Sequence, residues 1–410
     1  MKHLILGNGA AGITAAEKLR ELDATAEITI ISNEDTPVYT KCMLPDYVGG
    51  RLPREKLFIR SFETYRQNRI DLVTNAAVER TDPINKKVFL GDGRIIDYDR
   101  LLAAVGGSPF IPPVEGLAEA GYFTINSVTD ADRIRQEASK GGKAVIMGAG
   151  LAGIEMGFAL KYLGMGVCLV EKNDRILPLQ LDTGSSAMMA GELRREGLAL
   201  LLGRTVVRVH AAKGGRKLVE LLDGEMLECD MLLVTVGTRP NLAVVKDMGL
   251  NCGRGIMVDE YMKSSLDDVY AAGDVAEAIN KLSNEYVSSY IWPNAMAQGR
   301  CAAFNMSGAR QPFSNASSMM NSVQLRVMPF ISMGMVNPRG EGYEVLAEHN
   351  RDDRIYKRLV LKDDIVLGMT FFGDNRNANV VSGLIRKAVN VSAFKDKLLK
   401  EELYRLGSLF

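Results

Sequence analysis

Leu4-Ile-Leu-Gly7-Asn-Gly9-Ala-Ala-Gly12 opens the chain, and Ala144-Val-Ile-Met-Gly148-Ala-Gly150-Leu-Ala-Gly153 repeats its pattern far downstream. Each copy starts with a short apolar run that reads as a buried strand. A stretch of helical apolar spacing follows, Ile13 to Leu22 in the first copy and on to Leu163 in the second. A second β-rich run then closes on an acid: Ile28 to Ile31 before Glu34, and Val167 to Val170 before Glu171. Glu34 follows Gly12 by 22 residues and Glu171 follows Gly153 by 18. Both spacings sit near the roughly 20 of a dinucleotide-binding βαβ unit. A lone GxGxxG carries little weight, but strand, glycine loop, helix, strand and acid in order, twice, is specific. The first glycine permits the tight turn, the second lets backbone approach a pyrophosphate, and the third lets helix and strand pack closely. The helix start then offers unpaired N–H groups and a positive dipole end to the phosphates. Two such sites predict two dinucleotides.

The rest of the composition narrows the class. At 410 residues the chain has room for two to three domains of about 150 residues each. A hydrophobic content of 47% excludes a disordered chain. Lys+Arg and Asp+Glu are 50 each, and that balance leaves no basic footprint for nucleic acid. Cys42, Cys168, Cys229, Cys252 and Cys301 are scattered and form no CxxC, so neither a zinc ribbon nor an iron–sulfur ligand run is written here. Three histidines argue against a His-rich metal site, and no metal is expected. No signal peptide and no apolar run near the roughly 18 residues of a membrane span is visible. The expectation is a soluble, cytoplasmic protein.

Between the fingerprints lies a β-rich stretch, Asp71 to Val105, with an Asp92-Gly93 turn, and Pro109, Pro112 and Pro113 mark a connector. A similar stretch, Thr205 to Val236, follows the second fingerprint, with an Asp223-Gly224 turn. Val269-Tyr-Ala-Ala-Gly273-Asp274 reads as a short strand running into Gly-Asp. Strands at Tyr343–Glu348, Tyr356–Leu361 and Ile365–Phe372, then a helical tail from Val380, form a different final module. The expected class is α/β, with two Rossmann-like dinucleotide-binding domains and a C-terminal α+β domain. The boundaries expected are 1–112 with 241–317, then 113–240, then 318–410.

These residues resemble the two-dinucleotide flavoproteins of the pyridine nucleotide–disulfide oxidoreductase superfamily, and the likeness covers essentially the whole chain. Tyr98-Asp-Arg-Leu-Leu-Ala-Ala-Val105-Gly106-Gly107 looks like the return strand of the FAD domain, with Val105 where the family commonly has Thr. Leu233-Val-Thr-Val-Gly237-Thr-Arg-Pro-Asn241 looks like the return from the NAD domain. Gly273-Asp274 looks like the second FAD motif, whose Asp holds the ribityl chain and whose following helix points at the flavin. The resemblance therefore assigns FAD to Gly7, Gly9, Ala11, Gly12, Glu34, Lys41, Val78, Gly106, Gly273 and Asp274. It assigns the nicotinamide cofactor to Gly148, Gly150, Gly153, Glu171 and Gly237. A carboxylate at Glu171 bonds a free 2′-hydroxyl and repels a 2′-phosphate, so NADH is expected over NADPH, with Lys172 and Arg175 close by in sequence.

The disulfide enzymes of the superfamily carry CxxxxC after the first βαβ unit, but five residues beyond Cys42 stands Tyr47. Their C-terminal His–Glu pair is missing too, since the last histidine, His349, is followed five residues on by Arg354. What remains resembles the branch without the disulfide: NADH:rubredoxin reductases, the flavin module of nitrite reductases, and flavoprotein subunits of larger oxidoreductases. Val38-Tyr-Thr-Lys41-Cys42-Met-Leu-Pro also resembles the single-cysteine segment of coenzyme A-disulfide reductases and NADH oxidases. Cys42 is therefore either a redox thiol or a small residue beside the flavin. Glu155 is either the family's acid near the nicotinamide or a first-turn acid stabilising its helix. Trp292 lies by the flavin or simply packs.

The resemblance implies hydride transfer from NADH to FAD and onward passage of electrons. This chain has no iron–sulfur ligand set, so the expected partner is a rubredoxin- or ferredoxin-like carrier or an iron–sulfur subunit, met through the C-terminal module. Reverse flow, a homo-oligomer and a hetero-complex all remain open at this level. A Cys42-dependent disulfide reductase or NADH oxidase, and a mainly scaffolding or redox-sensing flavoprotein, are the alternatives.

Overall fold

The computed structural model describes residues 1–280, 284–313, 320–325, 328–338, 340–350, 354–400 and 403. Leu4, Ile5 and Leu6 are fully buried because the strand Lys2–Leu6 is flanked on both sides within a parallel sheet. That sheet runs Val269–Ala271, Arg100–Ala103, Lys2–Leu6, Glu27–Ile31, Ile70–Val73. A second parallel sheet repeats the order with four strands: Met231–Val234, Lys143–Met147, Gly166–Glu171, Ala199–Leu202. In both, the fingerprint strand lies between its βαβ partner and the returning strand. Each is a doubly wound arrangement, which places ligands at the carboxyl ends of the strands where strand order reverses.

The chain divides into two compact units. The first comprises Met1–Cys42, Pro53–Ser108 and Thr238–Ser318; the second comprises Met43–Leu52, Pro109–Gly237 and Met319–Phe410. The first unit's core gathers Leu4 to Leu6, Ile28 to Ile31, Leu101, Val269 and Ala302. A core in the second unit gathers Val145, Met147, Val170, Val219 and Leu232. The two β-rich stretches are three-stranded antiparallel sheets, Val78–Asp82 with Lys87–Leu90 and Ile95–Asp97, and Val206–Ala211 with Lys217–Leu221 and Met226–Cys229.

The final module is a five-stranded antiparallel sheet ordered Met320–Leu325, Met328–Gly334, Ile365–Phe372, Ile355–Lys362, Glu344–Asn350. Asp363 and Asp364 turn the last hairpin with φ of 50° and 58°, the two left-handed residues of a type I′ turn. The helix Ala378–Lys387 begins two residues before the expected Val380 and stops at Ala388, whose φ is 49°. The Lys357 ammonium, on the strand Ile355–Lys362, lies 2.7 Å from the carboxylate of Asp374, just beyond the strand Ile365–Phe372, and both side chains are buried. Arg376 also pairs with Asp374. Among the described residues no helix is long and apolar enough to cross a membrane.

Candidate dinucleotide sites

The helix Ala10–Leu22 takes Gly9 as its N-cap, and no side chain caps it. Its first-turn N–H groups thus have no helical acceptor and face whatever lies beyond the loop. The three glycines behave differently. Gly7 has φ of 111°, and a Cβ on it would lie 2.2 Å from the Ala104 carbonyl oxygen. A Cβ on Gly12 would lie 2.0 Å from the Gly7 carbonyl oxygen, whereas one on Gly9 would meet nothing within 4 Å. The second fingerprint repeats this: Gly148 is closed by Thr235, Gly153 by the Gly148 oxygen at 2.2 Å, and Gly150, N-cap of the helix Leu151–Tyr162, is open. The protein's own backbone demands the outer glycines. The middle ones guard open space, the cradle a pyrophosphate needs.

The acids sit at corresponding strand ends in different surroundings. Glu34 is half-buried and accepts the Tyr39 hydroxyl at 2.7 Å. Glu171 is 7% exposed and accepts the Ala149 N–H at 2.9 Å, the Asn173 N–H at 2.9 Å and the Asn173 amide at 2.6 Å. It therefore ties the fingerprint loop to the end of its strand.

Asp274 follows the strand Val269–Ala271, and burial pushes its carboxyl up to about 6 while Lys41 draws it back. Lys41 and Cys42 occupy a 3-10 turn, Lys41–Met43. The Cys42 thiol is exposed, whereas burial pushes the thiols of Cys168 and Cys229 up to about 11 and that of Cys301 to about 12. Directly after Asp274 comes a strand, Ala276–Asn280; the next helix is Trp292–Met306. That helix meets Ala10–Leu22 at backbone distance, since a Cβ on Gly299 would fall 2.3 Å from the Ala11 oxygen. Trp292 and Val78 are half-buried and pack on the first unit's core.

Glu155 lies in the second turn of Leu151–Tyr162, not in the first turn that the helix-stabilising alternative required, and burial pushes its carboxyl up to about 7 against the pull of Arg51. Gly106 accepts the Asn241 N–H at 3.0 Å, and Gly237 accepts the Phe110 N–H at 2.9 Å.

Two residues, Gln298 and Asn294, escaped the sequence reading, and a third, Asn241, entered it only as the end of a motif. Asn241 donates to the Val105 carbonyl at 2.8 Å and accepts the Ser108 hydroxyl at 2.8 Å, pinning the loop after the return strand. Gln298 accepts the Gly273 N–H at 2.8 Å and so fixes the turn that presents Asp274. Asn294 is 4% exposed, and its amide nitrogen has no partner among the described residues. The available signal was the polar pair Asn294 and Gln298, one turn apart on a small-residue helix.

The family model described as pyridine nucleotide-disulphide oxidoreductase matches residues 1–299, and that described as rubredoxin NAD+ reductase C-terminal domain matches 323–389. The chain belongs to the pyridine nucleotide-disulphide oxidoreductase family. It is similar to rubredoxin-NAD(+) reductase of Alcanivorax borkumensis, 31% identical across 90% of this chain and 94% of that one. Nitrite reductase [NAD(P)H] of Bacillus subtilis is 28% identical across 95% of this chain, which spans 48% of that relative's length. The solved NAD-dependent persulfide reductase from A. fulgidus superposes with a TM-score of 0.89 at 26% identity, covering 97% of this chain and 79% of its own. The chain thus belongs to a family of oxidoreductases whose cofactors are FAD and pyridine nucleotide. The open faces at Gly9 and Gly150, the half-buried Asp274 and the orphaned Asn294 amide fit those groups.

Proposed function

We propose that this chain passes electrons between NAD(H) and a protein carrier of rubredoxin or ferredoxin type, or an iron–sulfur partner subunit. The C-terminal match carries the reading: a rubredoxin NAD+ reductase module follows two dinucleotide folds, in a chain that lacks the CxxxxC of the disulfide enzymes. Bound FAD supplies the exchange between a two-electron nucleotide and one-electron acceptors. The first-turn N–H groups after Gly9 hold the FAD pyrophosphate, Glu34 its ribose and Asp274 its ribityl hydroxyls. The corresponding groups after Gly150 hold NAD(H), with Glu171 on the adenosine ribose. In this reading 1–112 with 241–317 bind FAD, 113–240 bind NAD(H), and 318–410 face the carrier. Five cysteines without a pairing pattern in the sequence support a reducing compartment such as the cytoplasm.

The test is NADH-driven reduction of purified rubredoxin and ferredoxin by the flavin-loaded protein. Turnover with either supports the proposal. A protein that binds NADH yet turns over with no carrier favours the scaffolding alternative. One observation favours a second enzymatic reading: Cys42 is exposed beside Lys41, and of the other cysteines only Cys252 is exposed. Cys42→Ser leaves carrier reduction unchanged in the first reading and abolishes disulfide, persulfide or oxygen reduction in the second. NADH should outperform NADPH by tenfold or more in kcat/KM, about the discrimination of one well-placed carboxylate.

A further inference from the structure

The turn that follows Glu171 is held from two directions, both within the second unit. Leu177 is fully buried yet has φ of 48°, in the left-handed region that a bulky residue enters only at a cost. The N–H groups of Gln180 and Leu181 donate to the Leu177 carbonyl at 3.0 and 2.9 Å and close one helical turn. The N–H of Leu177 itself donates to the Ala149 carbonyl at 3.2 Å, between the first two glycines of the second fingerprint. That carbonyl shares one planar trans peptide with the Gly150 N–H, so the two point in opposite directions. Tying the carbonyl to the turn therefore fixes where the Gly150 N–H is aimed. The Ala149 N–H is held on its other side by Glu171.

The C-terminal module grips the same turn. The Asn337 amide nitrogen donates to the carbonyls of Pro178 and Leu181, each at 3.1 Å, one hydrogen to each. The Tyr356 hydroxyl donates to the Asp182 carboxylate at 2.8 Å, directly after the turn. Asp182 is the N-cap of the helix Thr183–Arg195, where it also accepts the Gly184 N–H and the Ser185 hydroxyl. On the opposite side the Ser186 hydroxyl donates to the Ile176 carbonyl at 2.8 Å. A buried leucine in the left-handed region persists only where its surroundings over-determine it, and two of the side chains that do so here come from the C-terminal module.

We propose that Asn337 and Tyr356 are positioning residues for the nucleotide: from the C-terminal module they hold the turn Leu177–Leu181 in its strained form, and the turn sets the Gly150 peptide that meets the pyrophosphate. This rests on the reading that the second fingerprint holds NAD(H). The module assigned to the carrier thereby also takes part in nucleotide affinity.

The test is calorimetric binding of NAD+ and of ADP-ribose to the oxidised, flavin-loaded protein. Asn337→Leu keeps about the same volume and removes both donors; Tyr356→Phe removes only the hydroxyl. Each should weaken NAD+ by about three- to tenfold, the range of one hydrogen bond. ADP-ribose carries the same pyrophosphate and should weaken by the same factor, while flavin content stays at the wild-type value. Asn337→Gln keeps the amide and should bind both ligands more tightly than Asn337→Leu; equal affinities would remove the amide from the account. A folding midpoint that falls while both affinities hold marks the two side chains as structural only and overturns the proposal. Should Asn337→Leu fail to fold, Tyr356→Phe decides alone, and wild-type affinity in it overturns the proposal. Gly150→Ala separates the two levels. If it too leaves NAD+ and ADP-ribose bound as in wild type, the placement of NAD(H) on the second fingerprint falls, and the inference with it.

Discussion

In the first fingerprint Glu34 is half-buried and takes one bond, from a tyrosine hydroxyl. In the second, Glu171 is buried and takes three, one of them from the loop between its own glycines. The glycine logic is the same in both, down to the clash each third glycine avoids. The reinforcement differs. The first helix is backed by another helix at the Gly299–Ala11 approach, and the second by Met43–Leu52, a strap that sets Gly49 against Ala159, Arg51 beside the Tyr162 ring and the Tyr47 hydroxyl on Asp132. One motif has been built into two supports: one packed as a permanent interior, the other edged with polar and charged groups. A tightly held prosthetic group suits the first, and a nucleotide that enters and leaves in each cycle suits the second.

The largest test of that comparison is Gly12→Ala against Gly153→Ala. Each new Cβ would press on its own motif's backbone, at 2.0 and 2.2 Å, and relief requires the helix to part from the strand. A loss of about 4 kcal/mol is expected for each in chemical denaturation. Gly12→Ala should yield protein without flavin colour, and Gly153→Ala protein that keeps flavin and ignores NAD+. Equal loss of both ligands in both variants breaks the division of labour.

Each unit also holds one carboxylate lifted by burial and restrained by one cation: Asp274 with Lys41, and Glu155 with Arg51. For Asp274 the sign runs against native stability at neutral pH. Its native carboxyl, near 6, binds a proton more tightly than the same group in the unfolded chain. Stability from this group is therefore greatest at acid pH, falls as pH rises from about 4 to about 6, and is level above that. Asp274→Asn should make the flavin-free protein more stable than wild type at pH 7, by at most about 3 kcal/mol, and equal to it near pH 4. A gap that does not change with pH would remove the burial argument. A group that costs stability when ionised is retained for what it holds, and flavin retention should fall in the same variant.

Glu171→Gln and Glu34→Gln sharpen the contrast between the acids. The buried Glu171 carboxylate satisfies three donors, so its loss should cost about 2 kcal/mol, whereas the half-buried Glu34 should cost less than about 1 kcal/mol. Denaturant midpoints measured without ligand separate these from effects on cofactor binding. Comparable losses would mean that the two acids are held alike.

What the sequence makes legible here is whatever steric necessity writes locally. Gly12 and Gly153 are demanded by the carbonyls of Gly7 and Gly148 within their own loops, and the Asp363-Asp364 hairpin by its turn, whereas Gly7 and Gly148 are crowded by the distant Ala104 and Thr235 and are legible only through the motif spacing. The strap is invisible in sequence because its partners, Asp132, Ala159 and Tyr162, lie some 85 to 111 positions away. The strand Ala276–Asn280 after Asp274, where the family pattern suggested an immediate helix, pairs with Ile256–Val258 and Glu285–Val287. The pairing with Ile256–Val258 reaches back some 20 residues, and no periodicity announces either partner. Gln298 and Asn294 are single polar residues on a small-residue helix, and only the fold shows that one bonds Gly273 and the other is left over.

The smallest expected change in stability is the most informative about ligands. Gly9 and Gly150 are the N-caps of their helices, with extended rather than left-handed backbones and no atom within 4 Å of an added Cβ. Alanine fits at both without strain, so Gly9→Ala and Gly150→Ala should each shift folding stability by no more than about 0.5 kcal/mol. In the proposed reading the same methyl stands where a pyrophosphate approaches the backbone. Gly150→Ala should therefore weaken NAD+ by about tenfold or more, read by calorimetry, and leave flavin content untouched. Gly9→Ala should do the reverse. Folding that is unharmed while one ligand is lost identifies each open face as a binding surface; folding and binding that fall together would make these glycines structural like their neighbours.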